Sequence, residues 1–231
     1  MKLFGRIFVV GTLYIVPTPV GNIKDITLRA LEVLKEVDLI LAEDTRRTAK
    51  LLLQYEIHKP MESFHEYNED RKIFDILNKL NTNYSIALVS DSGTPTISDP
   101  GFKLIRTLIN AGVKIESLPG ASSVTVALVG SGLPTDQFIF LGYLPKKASK
   151  FNLLIEFITK IYQTKPTTVI FFESPKRVNK SLKILTDNFP NSHFVVAREL
   201  TKIHEEWIRG DAKKISEFPI KEKGEITILM H

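Results

Sequence analysis

The residues best equipped for chemistry gather in three segments: residues 16–25 read VPTPVGNIKD, residues 90–101 read SDSGTPTISDPG, and residues 118–123 read LPGASS. Each follows an apolar run with the character of a strand and precedes a helical pattern. Small, stiff and acidic residues therefore collect at the carboxyl ends of strands, where open α/β sheets bind their ligands. Neither GxGxxG nor GxxxxGK[ST] is present, and prolines stand where those phosphate-binding motifs need flexible glycines. A nucleotide-like ligand held here is not expected to rest in a phosphate cradle. Asp91 opens the second segment directly after a buried strand, where a carboxylate accepts hydrogen bonds from a ribose or an amino group. Pro95 and Pro100 stiffen the backbone around it, while Gly93 and Gly101 permit close approach or positive φ.

A second cluster, AEDTRR at 42–47, ends a strand and opens a helix. As structure alone, Asp44 or Thr45 is a natural helix cap, and Glu43 with Arg46 or Arg47 is a surface ion pair of little energetic weight. As function, the same charges line the mouth of a cleft. Other chemistries find less support. None of the five histidines forms an HExxH or comparable ligand pair. His65 lies near Glu62, Glu66, Glu69 and Asp70, a group that reads as a solvated acidic helix start rather than a metal site. Ser90, Ser92, Ser122, Ser123 and Ser174 sit in loops, but no GxSxG elbow accompanies them. The absence of cysteine excludes disulfides, a thiolate nucleophile and thiolate-bound metals.

These loops need a scaffold, and 231 residues with 43% hydrophobic and 25% charged content supply an ordinary globular core. The net charge of +5 favours polyanionic partners such as nucleic acid, although dispersed lysines also suit a solvated surface. Residues 1–10 faintly imitate a signal peptide, but Arg6 interrupts the apolar run and no small-residue cleavage site follows. No stretch is apolar enough to span a bilayer, so a soluble, cytoplasmic protein without membrane association is expected.

Strands are expected near 12–16, 38–42, 62–65, 84–89 and 113–118, with helices at 26–36, 45–53, 68–80 and 102–110 between them. Leu28, Leu31 and Leu34 carry the helical spacing, and Asp25 is the expected cap. This alternation predicts a parallel α/β sheet. A small-residue helix spans 121–129. The GSGLP run at 130–134 is the best boundary signal, dividing an N-terminal α/β domain (1–130) from a C-terminal one (131–231). The second half predicts strands at 138–143, 168–172, 193–197 and 225–230 and helices at 151–162 and 176–189. Residues 202–209 fit a helix or a strand.

The segments LYIVPTPVGNIKDITLRALEVL (13–34), AEDTRRT (42–48), ALVSDSGTPTISDPG (87–101), LPGASS (118–123), FFES (171–174), ARELTK (197–202) and KGE (223–225) resemble the ribosomal RNA small subunit methyltransferase I family of the tetrapyrrole methylase superfamily. The resemblance runs in order over nearly the whole chain from Leu13. It implies two α/β domains with S-adenosylmethionine in the cleft between them. The implied activity is 2′-O-methylation of a cytidine in the decoding centre of small-subunit ribosomal RNA. Carried onto this chain, it places Pro17, Asp91, Thr94, Ser122, Ser123 and Phe172 at the methyl donor, with no metal. The superfamily implies a homodimer, to which the apolar run 138–144 is a candidate contributor. Family members commonly continue beyond the KGE strand into a helical tail, and Ala121 stands where proline is more usual.

A ribose hydroxyl is a weak nucleophile, so a general base is expected. Asp44, Glu43, His65, Glu173 and Glu199 are candidates, with the Asp44–Glu43 segment preferred because AEDTR separates this family from its tetrapyrrole relatives. Arg46, Arg47, Lys24 and Lys202 are the expected RNA phosphate contacts on the small ribosomal subunit. The alternatives are a tetrapyrrole, other small-molecule or protein acceptor with the same donor, and a non-catalytic RNA-binding module.

Overall fold

The computed structural model describes residues 11–231, so the apolar run at 1–10 lies outside the described residues. The chain divides into two compact units, Met1–Ser122 and Ser123–His231. The GSGLP run thus falls inside the second unit, at the end of its first helix.

In the first unit, β1 (Thr12–Ile15), α1 (Leu28–Glu36), β2 (Leu39–Ala42), α2 (Thr45–Gln54), β3 (Met61–Ser63), α3 (Glu69–Asn81), β4 (Ile86–Val89), α4 (Phe102–Asn110) and β5 (Lys114–Ser117) alternate as expected. The strands form one sheet in the order β3-β2-β4-β1-β5, and all its pairs are parallel. β2 and β4 are buried at every position, which is why they read as continuous apolar runs instead of alternating ones. Leu34, Ile40 and Ala87 lie in the core on one face; Leu41, Phe64, Ile76 and Leu104 lie in the core on the other.

Two local expectations shift. Asp25 does not cap α1. It ends a short 3₁₀ turn, Ile23–Asp25, and Thr27 caps the helix through the Ala30 N–H at 3.0 Å. The acidic residues around His65 are not simply solvated: Glu62 takes Lys72 and Lys79, Asp70 takes Lys103, and buried Glu69 accepts the Leu104 N–H at 3.2 Å. That last bond satisfies one of the orphan donors at the start of α4, whose preceding residue, Gly101, has no side chain to do so.

The second unit contains α5 (Ser123–Ser131), β6 (Phe138–Tyr143), α6 (Ala148–Thr164), β7 (Thr168–Glu173), α7 (Val178–Asn188), β8 (His193–Arg198), β9 (Glu206–Asp211), α8 (Ala212–Glu217) and β10 (Ile226–Met230). In the ambiguous 202–209 region, 206–209 begin strand β9 and 202–205 form the turn before it. Its sheet, β6-β7-β10-β8-β9, is mixed, with only β6 and β7 parallel. Among the described residues no helix is long and apolar enough to cross a membrane.

Candidate functional site of the N-terminal unit

The loops following β1, β4 and β5 are laced together at the carboxyl edge of the first sheet. Thr18 and Gly93 form a β-bridge, exchanging N–H···O bonds of 2.9 and 3.0 Å. The Thr18 hydroxyl donates to Ser90 O at 3.0 Å, and Ser92 Oγ donates to Val20 O at 3.1 Å. Thr94 Oγ1 donates to Ala121 O at 2.9 Å, tying the second loop to the third. Gly120 lies so close to Pro17 that a Cβ there would sit 2.6 Å from the proline ring. Gly93 has φ +78°, and Thr96 and Ser98 hold φ values of +72° and +67°. Such left-handed conformations are costly for non-glycine residues and persist only when their surroundings impose them. The edge is therefore preorganised.

The AEDTR segment joins this edge. The Asp44 side chain accepts the Arg46 N–H at 2.9 Å and so caps α2. It also binds the Arg46 guanidinium through both oxygens, at 3.0 and 2.7 Å. These hydrogen bonds hold the Asp44 carboxyl far below the usual carboxylate range. Asp91 Oδ1 accepts the Asp44 N–H at 3.0 Å, and Asp91 Oδ2 faces Arg47 at 3.3 Å. Sequence spacing gave no sign of this Asp91–Arg47 coupling. A depression of about 200 Å³ opens here, lined by Thr18, Arg47, Thr48, Ser90 and Asp91 among others. It is smaller than the ~300–1,000 Å³ of sites that enclose a drug-sized ligand.

Glu43 behaves differently from Asp44. Burial pushes its carboxyl above the ordinary 4.5, the Asp91 charge adds to that, and Arg47 and His65 pull the other way. A carboxyl with a raised pKa is a better proton acceptor than one locked to a guanidinium. Glu173 and Glu199 are committed elsewhere. Glu173 is buried in the second unit and accepts from Ser181, Arg177 and the Ser174 N–H. Burial alone would raise Glu199, but hydrogen bonds from the Glu225 N–H and Lys202 outweigh it and hold the carboxyl low.

The remaining expected site residues are distributed as follows. Pro17, Asp91 and Thr94 belong to the laced edge, and Ser122 closes the first unit. Ser123 starts α5, and Phe172 packs edge-on against Phe140 and Tyr143, both in the second unit. Arg46, Arg47 and Lys24 are exposed, the first two with carboxylate partners. Lys202 lies in the second unit with Glu199 and Glu225 at 2.9 and 3.0 Å. Among the described residues no group of three or more histidines, aspartates and glutamates is arranged to hold a metal ion.

The family model for tetrapyrrole (corrin/porphyrin) methylases matches residues 12–216. Relatives named ribosomal RNA small subunit methyltransferase I are similar over nearly all of the chain. That of Hydrogenobaculum is 43% identical, aligned over 94% of both chains, and that of Thermotoga maritima is 43% identical over 95% of this chain and 98% of its own. The chain belongs to the ribosomal RNA small subunit methyltransferase I family. The Vibrio cholerae member is 46% identical and is covered over 76% of its length. Solved structures show that the chain shares its fold with proteins more distant in sequence. A uroporphyrin-III C-methyltransferase from Thermus thermophilus, complexed with S-adenyl homocysteine, superposes with TM-score 0.64 at 17% identity, over 95% of this chain and 97% of that one. Diphthine synthase gives 0.73 at 14% identity, over 95% and 89%.

Proposed function

We propose that this protein transfers a methyl group from S-adenosylmethionine to the ribose 2′-oxygen of a cytidine in small-subunit ribosomal RNA, working in the cytoplasm as a homodimer. The observation that carries the reading is the AEDTR segment docked on the laced loops through Asp91, in a chain 43% identical over nearly its full length to relatives named for this substrate. The edge suits the donor chemically. Asp91 stands on the wall of the depression as a hydrogen-bond acceptor, and Arg46 and Arg47 beside it each face a carboxylate. Pro17, Thr94, Asp91 and Ser122 are the residues of this unit assigned to hold it.

When bound, S-adenosylmethionine supplies a methyl on a sulfonium that departs as a neutral thioether. The chain has to align the acceptor hydroxyl, which is worth about 7–11 kcal/mol when the approach is in line. It also has to remove one proton. Glu43 is assigned as the acceptor of the 2′-hydroxyl proton. Arg47 and Asp91 fix one another at the depression beside it, and exposed Arg46 offers its free donors to an RNA phosphate. The exposed ends of edge strand β6, Phe138 and Tyr143, support the dimer reading. The test is methyl transfer from labelled donor to undermethylated small subunits. Incorporation lost in Glu43→Gln but retained in Glu56→Gln supports the assignment, and equal incorporation in both removes Glu43.

A further inference from the structure

Glu43 directly follows β2, and His65 stands two residues beyond the end of β3. These strands pair with Ala42 opposite Ser63, and the Phe64 N–H donates to Ala42 O at 2.7 Å, so both residues leave the sheet at the same edge. Asn68 fixes the imidazole. Its Oδ1 accepts the His65 backbone N–H at 2.9 Å, and its Nδ2 donates to Ser63 O at 3.1 Å. Turning the amide over would break both bonds, so the atom 3.2 Å from His65 Nε2 is the amide nitrogen. An amide nitrogen has hydrogens to give and no lone pair to accept. Nε2 is therefore the acceptor, and the neutral ring carries its proton on Nδ1. That Nδ1 is buried and meets no hydrogen-bond partner. A buried donor left unpaired is costly and calls for an acceptor.

We propose that His65 is a positioning residue for Glu43, its Nδ1–H reserved for the Glu43 carboxylate when that group turns to the acceptor hydroxyl. The proposal rests on Glu43 being the proton acceptor. The groups acting on Glu43 are Asp91 beyond β4, Arg47 on α2 and His65 beyond β3, with the Asp44–Arg46 pair next in the chain. Arg47 is shared with Asp91 and Arg46 is held by Asp44, whereas the imidazole donor is uncommitted. Asn68, buried in the loop before α3, keeps the ring in the tautomer that can donate.

Two measurements test this. Nitrogen-15 NMR of the free protein is expected to show His65 protonated on Nδ1, a readout independent of activity. In single-turnover methylation of small subunits, His65→Gln is expected to lower kcat about 10- to 100-fold, as for a lost bond to a charged group. It should also move the acidic limb of the pH profile upward, because the ionised carboxylate has lost a donor. His65→Asn places an amide N–H near the former Nδ1 and should recover most of the rate. A ring protonated on Nε2 overturns the proposal, as does a fall that is uniform across pH and equal in both variants. An inactive Glu43→Gln beside an unshifted His65→Gln overturns the positioning role alone. Full activity of Glu43→Gln overturns the base assignment and the proposal with it.

Discussion

Glu43 and Asp44 are adjacent carboxylates with opposite environments, and the contrast divides their labour. Asp44 gives both oxygens to Arg46 and caps α2, so its substitution by alanine should loosen the helix start and lower the melting temperature. Glu43 is half-buried against Asp91, and its raised pKa has a linkage consequence. A carboxyl whose folded pKa exceeds its unfolded value favours the fold while protonated, and that contribution is lost as pH rises through the folded pKa. Glu43→Gln should therefore leave thermal stability unchanged or higher near neutral pH, while methyl transfer falls by about 10²–10⁴, the usual range for general-base catalysis. Calorimetric melting and single-turnover methylation on the same variant separate the two. A protein that loses stability and activity together would mark Glu43 as structural. Glu62 has the reverse sign. Hydrogen bonds from Lys79 and then Lys72 hold its carboxyl below 4.5, so its contribution is present above that value and lost as pH falls through the lowered one. Glu62→Gln should flatten the acid side of the stability profile.

Loops and helix ends set the second scale. Gly120 has no room for a side chain against Pro17, so Gly120→Ala is expected to displace the third loop and weaken S-adenosylmethionine binding. Unchanged donor affinity by calorimetry would separate that loop from the donor. Glu69→Ala removes the buried acceptor at the start of α4 and should cost about 1–3 kcal/mol of stability in denaturant unfolding. Much of this scale was legible in the sequence. The expected 102–110 and 138–143 segments became α4 and β6 with those bounds, because each begins or ends at an unambiguous turn residue or apolar run. Other features arise only in three dimensions. α8 is a single short helix whose apolar face is too brief to register as a period. β9 carries Trp207 and Arg209 at strand spacing, yet Ile203 and Trp207 also fit a helix, and only pairing with β8 decides between them. The partners of Asp91, Glu69 and His65 lie many residues away or depend on an amide orientation, so spacing could not reveal them. The Asp44 cap, by contrast, was readable from residue type alone.

For the whole molecule, the RNA reading makes exposed Arg46 the first electrostatic test. Arg46→Gln should weaken small-subunit binding and reduce its salt dependence while leaving donor affinity intact, as expected for a lost phosphate contact. Charge reversal is a poorer choice at either arginine, since it sets a carboxylate against Asp44 or Asp91. Light scattering is expected to give a dimer, and an assembled subunit is expected to be methylated faster than short unstructured RNA because the target nucleotide is held in shape. The most direct test of the central claim is transfer of labelled methyl from S-adenosylmethionine to undermethylated small subunits, with the product nucleotide mapped. The account predicts one 2′-O-methylated cytidine in the decoding centre. Methylation on a base, transfer only to a tetrapyrrole or protein acceptor, or donor binding without any transfer to small-subunit RNA would contradict it.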